Sequence, residues 1–249
     1  MRKRYAVLAI GWAVVLASCG GGSGDGGTTP PPPPPPQPTD AGGIWEGTAV
    51  TGDLTLDVVG IIAEDGEGRF VDENGTQYVI DTLGGNDGDV SLTFTAFAQV
   101  GFTFIDGSTI ATGTLAGSID GTSFSAEYDL STGESGTMTL DYDPLYERDS
   151  SLDKLTGLWD EEFGVMSFDT FGGVFMQDTF GCVFEGQVSI IDPDFNVYSL
   201  AMSVSSCGAG VDGQYSGLGI LADLDTAEDL FIVQMNSDEW IFTTALTRQ

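Results

Sequence analysis

From Gly43 onward the chain alternates apolar and polar residues with a period of two, cut into short runs by Asx-Gly dipeptides. In Ser123 to Leu130, Phe124, Ala126, Tyr128 and Leu130 share one face, and Ser123, Ser125, Glu127 and Asp129 share the other. Ser135 to Tyr142 sets Met138, Leu140 and Tyr142 against Ser135, Thr137, Thr139 and Asp141. In Trp240 to Thr247, Trp240, Phe242, Thr244 and Leu246 alternate with smaller groups. This period belongs to half-buried strands and does not suit helices. Asp65-Gly66, Asn74-Gly75, Asp87-Gly88, Asp106-Gly107, Asp120-Gly121 and Asp212-Gly213 mark turns, because these pairs supply the positive φ that tight hairpins need. Asn74-Gly75-Thr76 also spells a glycosylation sequon, but it reads first as a turn. The pattern predicts an all-β chain.

The pattern occurs twice. Gly43-Ile44-Trp45-Glu46 opens one half and Gly157-Leu158-Trp159-Asp160 the other, with Gly68-Arg69-Phe70 and Gly173-Val174-Phe175 at comparable offsets. Each half holds about eight strands, which suits an antiparallel up-and-down barrel or a sandwich. The expected units are residues 41–145 and 157–249. Between them, 146–156 (YERDSSLDKLT) is the only helical segment, with Ser150 and Ser151 as N-cap candidates and Leu152 and Leu155 at helical spacing. Hydrophobic residues make up 41% and aromatics 10%, enough to build two cores despite the charge.

The amino end reads as an address and a tether. Arg2, Lys3 and Arg4 precede the apolar run Tyr5 to Leu16, which is too short for an ordinary membrane span and suits a secretory signal over 1–18. Leu16-Ala17-Ser18-Cys19 resembles the lipobox of bacterial lipoproteins. That resemblance implies cleavage before Cys19, acylation of that residue and a lipid anchor in the membrane. Gly20, in place of the Asp that retains members of this family at the inner membrane, implies sorting to the outer membrane. Residues 19–40 then form a tether. Gly20 to Thr29 is flexible Gly/Ser-rich coil, and Pro30 to Pro38 favours polyproline II spanning roughly 28 Å. A tether reading is preferred over a PxxP recognition site.

Removing the cations of positions 2–4 takes the formal net charge from −31 to −34, leaving Arg69, Arg148, Lys154 and Arg248 against 38 acids. Such a chain does not bind nucleic acid by phosphate neutralisation. Anionic head groups repel it, so the lipid on Cys19, and no basic patch, is its expected membrane contact. With Cys19 acylated, Cys182 and Cys207 remain as a pair in an oxidising compartment. A disulfide between them adds roughly 3 kcal/mol by loop closure.

Chemistry is restricted by what is missing. The chain has no His, so a Ser-His-Asp triad or a His base is excluded. Lys154 is the one lysine after position 3, and neither a nucleophile elbow nor a phosphate loop occurs. No catalytic residue is assigned. The best carboxylate-pair candidate for glycoside hydrolysis is Asp160-Glu161-Glu162, with Trp159 as the sugar platform. Calcium is the other acid-based option, as a low-affinity site and the only cofactor considered. Asp192, Asp194 and Asn196 start like an EF-hand loop, but Val197 and Ser203 replace its Gly and Glu. Asp87 and Asp89, in Asn86 to Asp89, and Asp223-Leu224-Asp225 are shorter oxygen-rich loops of the same kind.

Gly-x-Trp on a first strand is similar to the opening of lipocalin and avidin-like barrels. Nearly the whole chain after Gly43 resembles a group of predicted bacterial lipoproteins with no assigned activity. The resemblance is carried by Tyr146 to Leu152, Gly181 to Gly186, Asn196 to Tyr198, and Cys207-Gly208 with Tyr215 to Leu218. It implies a shared fold and export, and no catalytic residues. The expected function is a lipid-anchored, acidic envelope protein acting as a non-enzymatic binding or structural module. The alternatives are a small-ligand carrier barrel, a calcium-dependent surface adhesion module and the acid-pair hydrolase.

Overall fold

The computed structural model describes residues 41–85, 88–208 and 210–249. The leader, Cys19 and the tether lie outside the described residues, as does Asp87. The protein is all-β, with two closed eight-stranded antiparallel barrels. The first comprises β1 (Gly43–Thr51), β2 (Leu54–Ile62), β3 (Gly68–Asp72), β4 (Gln77–Gly84), β5 (Asp89–Phe97), β6 (Ile110–Asp120), β7 (Ser123–Leu130) and β8 (Ser135–Asp143). The second comprises β9 (Gly157–Glu161), β10 (Gly164–Phe168), β11 (Gly173–Gln177), β12 (Val183–Ile190), β13 (Tyr198–Ser205), β14 (Gly213–Ala222), β15 (Leu230–Asn236) and β16 (Ile241–Arg248). Between the barrels run a 3-10 turn, Pro144–Glu147, and a single helical turn, α1 (Leu152–Leu155). Ser151 is the N-cap of α1, accepting from the Asp153 N–H, while Ser150 is buried and binds the Asp192 and Pro193 carbonyls.

Alternation decides what enters each lumen. Phe124, Ala126 and Tyr128 of β7 and Met138 and Leu140 of β8 point inward with Trp45, Phe70, Phe94 and Leu115. Glycines opposite the aromatic rings make room for them. A Cβ on Gly60 would lie 2.0 Å from the Phe70 ring, its cross-strand partner, and one on Gly113 would lie 2.3 Å from Phe94. The first lumen is left with a cavity of about 20 Å³, room for one water. Trp159, Phe168, Phe184, Tyr198, Met202 and Phe231 fill the second.

The two Gly-x-Trp motifs close their barrels alike. Trp45 donates its indole N–H to the Ala41 carbonyl at 3.1 Å, and Trp159 to the Leu155 carbonyl at 2.7 Å, each four residues back. Across the closing seam, Trp45 faces Tyr142 and Trp159 faces Arg248. Tyr142 meets its tryptophan edge-on at 5.5 Å, and the Arg248 guanidinium lies 4.4 Å from the Trp159 ring. The second matched pair is not equivalent in space. Phe70 points into its lumen, whereas Phe175 points out and is 47% exposed. Both begin third strands, but the register differs by one residue, and in a strand one residue reverses the face.

Six hairpins share one five-residue turn: 63–67, 72–76, 104–108, 130–134, 169–173 and 178–182. In each, the first N–H donates to the fifth carbonyl and the fourth N–H donates back to the first carbonyl. The fourth residue is always a glycine with φ between +81° and +96° (Gly66, Gly75, Gly107, Gly133, Gly172, Gly181). This is a type I turn closed by a glycine bulge. Asp212-Gly213 is not a turn of this kind. Gly213 begins β14, and the left-handed residues are Ser206, Gly208 and Gly210.

Gly60→Val forces a branched side chain into the Phe70 ring. It is expected to destabilise the protein by about 1–3 kcal/mol in urea unfolding. Gly213→Val, the same residue change where an added Cβ meets nothing and φ is not positive, serves as the control.

Candidate functional site

The barrels are joined face to face. Ile44 of β1, Ile61 of β2 and Ala63 pack outside the first barrel against Leu218 and Ile220 of β14 and Val197, with Tyr146 of the linker between. Tyr146 stacks on Phe195 at 4.8 Å and donates to Glu64 at 3.0 Å, touching both barrels. The contact continues as a buried polar strip. Arg69 of β3 donates to Asn236 of β15 and, at 3.0 Å, to Glu67. Gln77 of β4 donates to Thr243 of β16. Arg69 Nε, Gln77 Oε1 and Gln234 Oε1 are buried there without a protein partner. Burial depresses the Arg69 guanidinium pKa, against Glu67 which raises it.

Each cation among the described residues works at this joint or in the linker. Arg148 forms a two-point pair with Asp223 at 2.7 and 2.8 Å. Lys154 bridges the Asp149 carbonyl and Glu228, both at 2.8 Å. Arg248 donates to the Lys154 and Thr156 carbonyls. Asp223 and Glu228 lie in the β14–β15 loop, so the linker is held to the second barrel by charge as well as by packing. Among the described residues no other cation is left to offset the acids of the outer surface.

The loops read as calcium candidates are organised by their own backbones. Asp192 accepts the Asp194 N–H at 2.9 Å. Asn196 is 1% exposed and turned to the joint, donating to the Leu145 and Leu221 carbonyls and accepting the Leu221 N–H. Asp89 starts β5. Asp225 lies in a loop ordered by Asp229, which accepts from the N–H groups of Leu224, Asp225 and Thr226 and from the Thr226 hydroxyl. Among the described residues no three acids or cysteines come together as a metal site. Around the acid-pair candidate, Trp159 is fully buried in the lumen and offers no platform. Asp160 accepts from Gln249 at 2.7 Å, and Glu161 accepts from Thr244 and the Phe163 N–H. Cys182 and Cys207 form the disulfide, 25 positions apart with Cα atoms 4.5 Å apart. It closes the end of the β12–β13 ladder just beyond the Val183–Ser205 pair.

The pattern reading missed two surfaces, and each has a sequence signal. Gly60-Ile61-Ile62-Ala63 and Gly217-Leu218-Gly219-Ile220-Leu221-Ala222 are unbroken apolar runs, the mark of strands covered on both faces. Asp-Thr-Phe-Gly occurs at 169–172 and again at 178–181, placing Phe171 and Phe180 at the third position of two of the shared turns. Both rings are exposed, at 83% and 74%. They cap the two ends of β11, whose outer face carries Phe175, with Leu158 of β9 and Val165 of β10 alongside. A groove of about 340 Å³ runs past Phe175 between Asp169 and Glu185.

No family model, curated protein or solved structure matches the chain.

Asn236→Ala leaves one end of the buried Arg69 guanidinium without its acceptor. It is expected to cost about 1.5–3 kcal/mol in urea unfolding. The β14–β15 loop yields a second expectation. Burial would raise the Asp229 carboxyl, but four donated hydrogen bonds outweigh it and hold the group at about 2, below its ordinary 3.8. Because the folded value is depressed, the loop's stabilisation is complete above about pH 4 and is lost as pH falls through about 2. A carboxyl NMR titration should place the Asp229 midpoint near 2, and Thr226→Val should move it upward.

Proposed function

We propose that the protein is a lipid-anchored, non-enzymatic binding module of the cell envelope, held on its tether by acylated Cys19 and working through the outer surfaces of its two barrels. The filled lumen supports this reading most directly. A cavity of about 20 Å³ in the first barrel cannot hold a metabolite, and aromatic and methionine side chains occupy the second. A carrier would need an interior lined by small residues. Asp192 accepts the Asp194 N–H, Glu161 the Phe163 N–H and the Thr244 hydroxyl, and Asp160 the Gln249 amide, which is how loops of ordinary structure use such acids. The joint favours a structural platform as well. It fixes two barrels as one body and leaves the remaining faces free for contact.

Attachment through Cys19 predicts that Cys19→Ser loses the mass of the acyl chains and moves the protein from the membrane to the soluble fraction. Native mass spectrometry of the full lipidated chain should show the polypeptide and its acyl groups alone. A retained small molecule would transfer the assignment to the carrier. Calcium retained against a chelator would transfer it to the cation-dependent adhesion module.

A further inference from the structure

We propose that the outer face of β9, β10 and β11 is a docking site for a basic polypeptide segment with interleaved apolar residues. Phe171, Phe175 and Phe180 receive its apolar side chains, and Asp169 and Glu185 receive its cations. The proposal rests on the reading that the protein works through its outer surface, and it names one face and the chemistry that face fits.

The first support is an internal comparison of turns. The shared five-residue turn needs its glycine at the fourth position, and it leaves the third residue free. In the first barrel that residue is Asp65, Asn74, Asp106 or Thr132, all polar. At the two ends of β11 it is phenylalanine. The closest match is between turns that start with Asp. Asp72 accepts the N–H of Asn74 and Thr76, Asp169 that of Phe171 and Gly173, and Asp178 that of Phe180 and Cys182, all within 2.7–3.0 Å. The backbone is the same with Asn at the tip, so folding does not require the two exposed rings. Phe180 touches Phe163, 5.5 Å between ring centres, and remains 74% exposed.

A second comparison is between barrels. The strands β1, β2 and β3 of the first barrel correspond to β9, β10 and β11 of the second. In the first barrel that face is covered by the neighbouring barrel, and Ile44 of its Gly-x-Trp motif is 1% exposed. In the second barrel the same motif position, Leu158, is 50% exposed. Leu158, Val165 and Phe175 therefore stand apolar and uncovered where the equivalent surface of the first barrel is covered.

Charge selects the occupant. Phe175 lies opposite Glu185 in the β11–β12 ladder, and Val165 opposite Asp160 in the β9–β10 ladder. Asp169 borders the groove beside Gly173. The four cations of the described chain are held at the joint, the linker and the closing seam, so this rim has no internal counter-charge. A second copy would bring the same acids against this rim, and like charges juxtaposed at an interface are costly. Anionic lipid is disfavoured in the same way. Phenylalanine has no polar handle for sugar hydroxyls, but it offers an apolar face and a cation–π surface, both of which a Lys- or Arg-bearing apolar segment uses.

The test is calorimetric titration of the full chain carrying Cys19→Ser, which keeps both barrels and removes acyl chains that would adsorb the probe. The probe is a twelve-residue peptide of alternating lysine and leucine. The comparison peptides alternate lysine with serine and glutamate with leucine. Saturable one-site binding is expected for the lysine–leucine peptide alone, weakening as salt rises. The combined Phe171→Asn, Phe175→Thr and Phe180→Asn variant should bind at least tenfold more weakly with an unchanged thermal midpoint. Glu185→Gln should weaken binding about threefold and flatten its salt dependence. The proposal is overturned by an absence of binding, by equal binding of the lysine–serine or glutamate–leucine peptide, or by an unchanged affinity in the triple variant. A dimer that dissolves in the triple variant, seen by sedimentation, also overturns it and makes the occupant a second copy. A ligand found inside a lumen would sink the surface-module reading but leave this titration readable, so the two failures remain distinct.

Discussion

Closing an eight-stranded antiparallel sheet creates an interior that must be packed, because its lining alternates with the outer face along every strand and cannot be made polar without losing the core. Each barrel meets that demand with large aromatics set against glycine. Phe70 over Gly60 and Phe94 over Gly113 show the device: a ring occupies the volume that its neighbour's side chain would have taken. The abundant glycine of the chain is therefore partly a packing residue, in addition to its use in turns. An interior filled in this way leaves only the outer surface open to contact.

That surface is divided by a single contact. One outward face of the first barrel lies against β14, β15 and β16 of the second, with an apolar part around Ile61 and Ile220 and a polar part around Arg69, Gln77 and Asn236. Burying a guanidinium between barrels is costly without partners. Arg69 has Glu67 and Asn236 for two of its nitrogens, so the polar strip constrains how the faces meet more than it adds to their attraction. Arg148 and Lys154 act from the linker on the β14–β15 loop, and Arg248 ties the last strand to the linker over Trp159. In a chain with so few cations, their common placement at joints leaves a surface of nearly uniform negative charge. An uncovered apolar face within that surface has a defined electrostatic preference.

Much of this was legible in the residues. Alternation in Ser123–Leu130 and Ser135–Tyr142 places the inward side chains correctly, because a sheet with one wet face transmits its burial directly into a period of two. The paired Gly-x-Trp motifs mark two repeated units, and the pair Cys182 and Cys207 marks the disulfide. The match of Gly68-Arg69-Phe70 with Gly173-Val174-Phe175 misled, because sequence similarity does not record a one-residue difference in register. Phe175 is outside, and Phe70 is inside. Phe171 and Phe180 escaped because Phe-Gly is not a recognised turn pair, although the bulge geometry depends on the glycine and not on the residue before it.

The residues alone settled the strands, the division into two units of about eight, the Asx-Gly turns at Gly66, Gly75 and Gly107 and the pairing of Cys182 with Cys207, while leaving barrel and sandwich both open. These depend on local chemistry: side-chain period, backbone freedom and thiol number. Tertiary structure alone decided which outer faces are covered. Ile44 and Leu158 occupy the same place in the same motif, yet one is buried against a neighbouring barrel and the other is exposed. Arg69 and Asn236, 167 positions apart, meet only because two closed cylinders dock at one rotation. Docking depends on the shape and complementarity of whole surfaces, which no short stretch of residues encodes.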